Sequence, residues 1–179
     1  MAKRHVLIAG FPDASSQVEA LLPKVSSQLE LVSVPDGARC ISAHTKLAAA
    51  GLPPLVVILR DHLDLVDGPQ VAHAIRAAER GLGVAASAIL YASMEEASTD
   101  VDSLVAQVGR AVTFKWPAQQ SPEQSAHRLV KATAKILDQL LRARESVTMC
   151  QRFVDVVRDP ELEEERKWCL ERIRQLQFR

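Results

Sequence analysis

Hydrophobic residues form short continuous runs that alternate with helical stripes along the first two thirds of the chain. The runs are His5 to Ala9, Leu29 to Val34, Leu55 to Leu59, Ala86 to Tyr91 and Ala111 to Lys115. Between them, apolar residues recur at the three- and four-residue spacing of amphipathic helices. The predicted helices begin at Asp13 and span Ala38 to Ala50, Asp67 to Arg80 and Thr99 to Arg110. Asp13 is the expected N-cap of the first helix, and Gly81 is the expected end of the third.

This alternation predicts an α/β fold, because strands that alternate with helices of this length form βαβ units. We expect a flavodoxin-like, doubly wound, five-stranded parallel sheet in the order 2-1-3-4-5. The continuous apolar run from Leu55 to Leu59 is typical of a central strand, whereas Leu29 to Val34 alternates and suits a less buried position. The expected domains are an α/β domain over residues 1–119 and a C-terminal helical extension over residues 120–179.

The C-terminal third predicts two helices. Ser121-Pro122-Glu123 begins the first, with serine as N-cap and proline in the first turn, and the pattern continues without Gly or Pro to Arg158. Such a helix is about 55 Å long, against about 35 Å for a globule of this size. We therefore expect it to project or to break near Glu145. Asp159-Pro160 begins the second helix.

Apolar residues on these two helices are candidates for protein interaction. They are Leu137, Leu140, Leu141, Val147, Phe153, Val154, Val157, Trp168, Ile173 and Leu176. The helices either fold onto their own domain or dock a partner. Two chains would supply four amphipathic helices, a number that closes a bundle core. We therefore expect a protein partner and a homodimer.

Composition narrows the function classes. Lys and Arg total 22, as do Asp and Glu, so the formal net charge is zero and gives no reason to expect nucleic-acid binding. No apolar run reaches the roughly 18 residues of a membrane span, and the short N-terminal run predicts a strand and not a signal peptide. Cys40, Cys150 and Cys169 are widely spaced, which indicates reduced thiols in a cytoplasmic protein.

One segment carries a family resemblance. Asp67-Gly68 is followed by Ile75-Arg76, and Lys115 stands two residues before Pro117. Over about two thirds of its length the chain resembles the receiver domains of response regulators. In that family the third strand ends in an aspartate that accepts a phosphoryl group, two acidic residues hold Mg²⁺, and a hydroxyl residue and a lysine complete the site. The resemblance places the phosphoryl acceptor at Arg60 and the two metal ligands at Gly10 and Phe11. It places the hydroxyl residue at Tyr91 and the lysine at Lys115.

The resemblance implies a degenerate pseudo-receiver, because Gly10 and Phe11 offer no side-chain oxygen to a metal and Arg60 is a cation. Arg60 is expected to pair with Asp13, Asp61 or Asp64. No phosphate-binding or nucleophile motif occurs, so we expect no enzyme activity, cofactor or metal. The chain is then a signalling or scaffold protein that acts through protein–protein interaction. The alternatives are a phosphorelay response regulator phosphorylated at Asp61, and a flavodoxin-like small-ligand binder.

Overall fold

The structure, a computed structural model of the chain, describes residues 3–60, 62–94, 108, 111–116, 120–156 and 162–177. Within these ranges, the side chains of residues 94, 112–115, 176 and 177 lie outside the description. The chain divides into two compact units, Met1–Ala134 and Lys135–Arg179. Each unit has its own packing and its own candidate surfaces.

The first unit contains a parallel sheet. Its strands are β1 (Arg4–Ala9), β2 (Leu29–Val34), β3 (Val56–Arg60), β4 (Ala88–Met94) and β5 (Ala111–Trp116). They lie in the order β2-β1-β3-β4-β5, and every neighbouring pair is parallel. The predicted α/β class with a parallel sheet and flanking helices is therefore confirmed. The apolar run of β3 lies between β1 and β4 and is buried along its first four residues, as a central strand should be.

Helices connect and follow the strands. They are α1 (Ser15–Val25), α2 (Gly37–Ala49), α3 (Gly68–Leu82), α4 (Pro122–Val156) and α5 (Glu163–Gln177). Ser121 caps α4 as predicted, because its hydroxyl accepts from the Gln124 N–H at 3.2 Å while the Gln124 side chain accepts from the Ser121 N–H. The 35 residues of α4 continue through Glu145 without a break. The helix predicted over residues 99–110 lies outside the described residues, apart from Val108.

The start of α1 differs from the prediction. Asp13 does not cap the helix; it lies inside a short 3₁₀ turn, Pro12–Ala14, and the N-cap is Ala14 with no side-chain hydrogen bond. The turn forms because Pro12 is restricted to helical φ values, and the Phe11 carbonyl accepts from the Ala14 N–H and the Ser15 hydroxyl. The predicted cap at Asp13 is therefore wrong, and the Phe11 carbonyl accepts the hydrogen bonds at this end of the helix.

The end of α3 also differs from the prediction. Gly81 lies inside the helix, and the C-cap is Gly83, two residues later, with a φ of 65°. Glycine adopts this left-handed conformation without the steric penalty that a Cβ brings. The Gly83 N–H then bonds the Arg80 and Glu79 carbonyls, which satisfies the last turn. The prediction that α3 ends at Gly81 is therefore wrong.

The sheet of the first unit is buried on both faces. Because side chains alternate along a strand, odd-numbered residues of β1, β3 and β4 share one face, where they pack with α2 and α3. This cluster contains Leu7, Ala9, Cys40, Val57, Leu59, Leu63, Val71, Ala72, Ile75, Ile89, Tyr91 and Val108. The even-numbered residues Val6, Ile8, Val56, Ile58 and Leu90 are buried as well. In β1, β3 and β4, the described side chains in the middle of the sheet are therefore apolar and buried.

The second unit has a small core of its own, which we call the helix-pair cluster. Residues of α4 and α5 contribute to it. Its buried members are Cys150, Cys169 and Ile173, with Val147, Phe153 and Val154 packed against them. All three cysteines of the chain, including Cys40 in the first unit, are free thiols. The C-terminal part of α4 therefore packs against α5 through one face.

Candidate functional site

A pocket of about 270 Å³ opens at the carboxyl ends of the strands in the first unit. We call it the strand-end pocket; its lining includes Gly10, Phe11, Asp13, Arg60, Trp116 and Ser125. Parallel pairing creates it, because Ala9 pairs with Leu59 and Arg60 pairs with Ala92, so that several strands end at the same edge. This edge is where ligands bind in open α/β sheets.

Arg60 is held in the pocket by two contacts. As an even-numbered residue it points to the face of the sheet opposite Leu59. Its Nη1 donates to the Gly10 carbonyl at 3.2 Å, and its Cζ lies 5.5 Å from the centroid of the Phe11 ring, in cation–π range. The Phe11 ring in turn meets Trp116 edge to face, with centroids 4.9 Å apart. The guanidinium is therefore positioned before anything binds.

Of the three predicted salt bridges of Arg60, those to Asp13 and Asp64 do not form. Among the residues that the structure describes, Arg60 forms an ion pair with neither Asp13 nor Asp64; Asp61 lies outside the described residues. The guanidinium is directed at the Gly10 carbonyl and the Phe11 ring instead. A carbonyl dipole and a ring quadrupole orient a cation but do not neutralise it. Among the described residues, these two contacts leave the Arg60 guanidinium without an ion-pair partner.

The backbone at Gly10 disfavours an acidic side chain. Its φ of 85° lies in the region that residues with a Cβ rarely adopt. A Cβ at this position would also lie 2.5 Å from Leu63 Cδ2 and 3.1 Å from Arg60 Cδ. An aspartate at position 10 would therefore be strained, which agrees with the absence of a carboxylate there.

Tyr91 and Lys115 do not add described side chains to the pocket. Tyr91 pairs with Leu59 in the sheet, so its side chain lies on the face of α2 and α3, opposite Arg60. It is 2% exposed, and its hydroxyl lies so near α3 that a Cβ on Gly68 would come within 2.7 Å of it. The Lys115 side chain lies outside the description. The structure therefore gathers Gly10, Phe11 and Arg60, and separates Tyr91 from them.

Sequence reasoning missed a buried polar network beneath α2 and α3. Glu79 accepts from Arg76 Nη1 at 2.6 Å and from the Ser87 N–H at 2.7 Å, and it lies 3.2 Å from His44 Nε2. Arg76 Nε also donates to the Val108 carbonyl at 2.8 Å, and His44 Nε2 lies 3.2 Å from the Ser87 hydroxyl. All four polar side chains are buried. The network ties α2, α3 and the entry to β4 together.

Electrostatics within this network favour an ionised Glu79. Burial raises the pKa of the Glu79 carboxyl, but hydrogen bonds from His44, the Ser87 N–H and Arg76, with the charge of Arg76, outweigh burial and lower the pKa to about 2. The sequence held a signal for this site. Arg76 and Glu79 fall on the same helical stripe as Val71 and Ile75, so two charged residues occupy core positions.

Cys40 does not offer a nucleophile. It is fully buried in the cluster beneath α2. Burial, with the negative charge of Asp36 nearby, raises the pKa of the Cys40 thiol to about 12. Because the thiolate is the reactive form, Cys40 is inert at neutral pH and acts as a small apolar core residue.

The predicted interaction residues fall into three groups in the second unit. Val147, Phe153, Val154 and Ile173 belong to the helix-pair cluster. Leu141 and Trp168 are 59% and 62% exposed, and Leu137 and Leu140 are half-buried. The side chains of Val157 and Leu176 lie outside the described residues. Exposed large side chains such as Leu141 and Trp168 are therefore the part of the predicted set that is open to a partner.

Comparison with solved structures identifies the fold. The receiver domain of the histidine kinase CKI1 from Arabidopsis thaliana, in complex with Mg²⁺ and BeF₃⁻, has a TM-score of 0.56 and 16% identity, covering 76% of this chain and 90% of that one. The phosphorylated cyanobacterial phytochrome response regulator RcpA has a TM-score of 0.53 and 17% identity, covering 74% and 91%. The response regulator domain of Thermotoga maritima CheB has a TM-score of 0.52 and 14% identity, covering 76% and 97%. The predicted receiver-like fold is confirmed.

Sequence comparisons add no family to this likeness. No protein-family model matches the chain, and no curated protein sequence matches it. Within the described residues, no helix is both long enough and apolar enough to cross a membrane. The likeness to receiver domains is thus a likeness of fold.

Proposed function

We propose that the chain is a non-catalytic pseudo-receiver: a signalling or scaffold protein that acts through protein–protein interaction, in the cytoplasm and without nucleic acid. The observation that carries this proposal is the content of the strand-end pocket. Arg60 stands at the end of β3 and holds a positive charge there, and Gly10 and Phe11 occupy the end of β1. A phosphoryl acceptor at this edge needs carboxylates and a metal to neutralise developing charge. The described residues favour neither.

The pocket does not fit Mg²⁺, the metal that the receiver fold implies. Magnesium requires several hard oxygen ligands in octahedral geometry. Among the described lining residues only Asp13 carries a carboxylate, and the Gly10 carbonyl oxygen already accepts from Arg60. Within the described part of the chain, no cluster of three or more His, Cys, Asp or Glu side chains could hold a metal. The described residues of the pocket therefore do not form a magnesium site.

We expect Mg²⁺ to leave the pocket unchanged. Trp116 lines the pocket and reports on it, and the Trp168→Phe variant makes Trp116 the single tryptophan of a chain that has two. Adding MgCl₂ to this variant should change Trp116 fluorescence no more than adding NaCl at equal ionic strength. A saturable response to Mg²⁺ that is lost in Asp13→Asn would show that the pocket holds a metal after all.

Protein interaction is proposed to run through the second unit, with a homodimer as the expected assembly. Leu141, Met149 and Val156 of α4 are exposed and fall within one sector of the helix, away from the helix-pair cluster. Trp168 and Leu170 of α5 are exposed as well. Apolar side chains that line one side of a helix are a common mark of a protein-binding surface. The formal net charge of zero does not oppose association.

Light scattering tests the homodimer on the full chain. We expect a mass of twice 19.6 kDa at micromolar concentration, and a shift toward the single-chain mass in the Leu141→Ala/Trp168→Ala variant, because both side chains are exposed before association. Leu65→Ala is the matched control, since Leu65 is 83% exposed in the first unit and should leave the mass unchanged. A wild-type chain that stays monomeric up to millimolar concentration would remove the homodimer and leave docking to another protein.

A further inference from the structure

Arg60 places a guanidinium cation inside the concave strand-end pocket. Arg60 is half-buried, and in the described part of the chain it has no acidic partner. Of its five N–H donors, one is committed to the Gly10 carbonyl. The pocket of about 270 Å³ around it has room for a small molecule. A partly desolvated guanidinium with spare donors is a binding group for an anion.

We propose that the strand-end pocket binds a small organic or inorganic anion, with a carboxylate or phosphate group on Arg60. The anionic group accepts from the remaining guanidinium N–H donors, whose planar arrangement matches two oxygens of such a group. Ser125 lines the same pocket, and a serine hydroxyl can donate a second hydrogen bond to the anion. No bond is made or broken in this binding.

Preorganisation makes Arg60 suited to this role. A free arginine loses rotamer freedom when it binds a ligand, which weakens binding. Here the Phe11 ring and the Gly10 carbonyl hold the guanidinium before binding, and Trp116 holds the Phe11 ring. Arg60 therefore loses its rotamer freedom when the chain folds, and little of this entropy cost remains for ligand binding.

Asp13 limits which anions fit. Its carboxylate lines the pocket and is exposed to solvent at the rim. The Asp13 carboxylate repels additional negative charge on a bound anion, and the repulsion is stronger at low ionic strength. The pocket therefore favours a singly charged anion over a multiply charged one, and a carboxylate over a phosphate dianion. This inference goes beyond the proposed function, and self-association neither requires nor excludes it.

Fluorescence titration of the Trp168→Phe chain tests the proposal with two probes, sodium acetate and sodium phosphate, each exchanged against sodium chloride at fixed ionic strength. We expect a saturable change in Trp116 emission with half-saturation at about 1 to 10 mM, the weak affinity of a single charged contact. Arg60→Gln should weaken binding about tenfold or more. Arg80→Gln, which removes an exposed arginine of α3, should bind as the parent does.

A second measurement on the unaltered chain covers the case in which Arg60→Gln fails to fold. In amide NMR spectra, the two probes should shift the signals of Gly10, Phe11 and Ser125, with one common half-saturation. We expect the response to acetate to be the stronger of the two, and a response to phosphate alone would contradict the inferred preference for a singly charged anion. Linear, non-saturating changes, shifts spread over exposed lysines and arginines, or binding unaltered in a folded Arg60→Gln variant would each overturn the proposal.

Discussion

Glu79→Ala should lower the free energy of unfolding by about 3 to 5 kcal/mol, because it removes one partner from a buried ion pair. Arg76 would keep its hydrogen bond to the Val108 carbonyl but lose its 2.6 Å contact with the Glu79 carboxylate. The Ser87 N–H and His44 would lose an acceptor in the same step. Denaturant melts measure the loss, and Glu19→Ala, at an exposed position of α1, is the control that should change stability little.

The same carboxylate gives stability a defined dependence on pH. Its pKa in the folded state is about 2, below the ordinary value of 4.5 that it regains on unfolding. Folding is therefore stabilised by Glu79 above pH 4.5, by roughly 3 kcal/mol, and this contribution disappears as the pH falls from about 4.5 to about 2. In Glu79→Gln this part of the acid dependence should vanish. An acid dependence identical to that of the wild type would contradict the account of the network.

Gly68→Ala should destabilise the chain by about 3 kcal/mol, the upper end of the usual cost of overpacking, because it places a Cβ where there is no space. The added atom would collide with the Arg60 carbonyl oxygen and lie 2.7 Å from the Tyr91 hydroxyl. The first obstacle is backbone at the end of β3, so relief would require α3 to move away from the sheet. Thermal or denaturant melts of the full chain give the magnitude.

Gly81→Ala supplies the matched control in the same helix. A Cβ at Gly81 meets nothing within 4 Å, and Gly81 lies inside α3 with ordinary helical conformation. Alanine is the better helix former there, so this variant should gain about 0.5 to 1 kcal/mol. Equal effects of the two substitutions would show that helix propensity, and not the close approach at Gly68, governs these positions.

Much of the fold could be predicted from local pattern. Within the described residues, the apolar runs and the helical stripes predict the strands and most of the helices, because periodicity reflects which face is buried. The capping residues could not be predicted as well. The Phe11 carbonyl takes the place of Asp13, and Gly83 takes the place of Gly81. Several nearby residues could fill each role, and tertiary packing determines which of them does. The buried network was missed for a related reason. Its members His44 and Glu79 are 35 residues apart, and their pairing depends on how α2 packs against α3.

Only part of the predicted site lies around the strand-end pocket. The resemblance placed Gly10, Phe11 and Arg60 at strand ends, and the structure brings these three around one pocket. The resemblance could not show that the Arg60 guanidinium would contact the Gly10 carbonyl and the Phe11 ring, because these contacts depend on distances of a few ångströms. Nor could it show the side of the sheet that Tyr91 faces, which the strand register fixes.

Intact-mass spectrometry after incubation with acetyl phosphate and Mg²⁺ tests the central claim, that this receiver fold does not accept a phosphoryl group. The full chain and Asp61→Asn are measured side by side, since Asp61 is the alternative acceptor next to Arg60. The account predicts an unchanged mass for both chains, because a cation and no described metal site stand at the strand ends. A stoichiometric gain of one phosphoryl group by the wild type, absent in Asp61→Asn, would contradict it and establish a response regulator with an atypical acceptor.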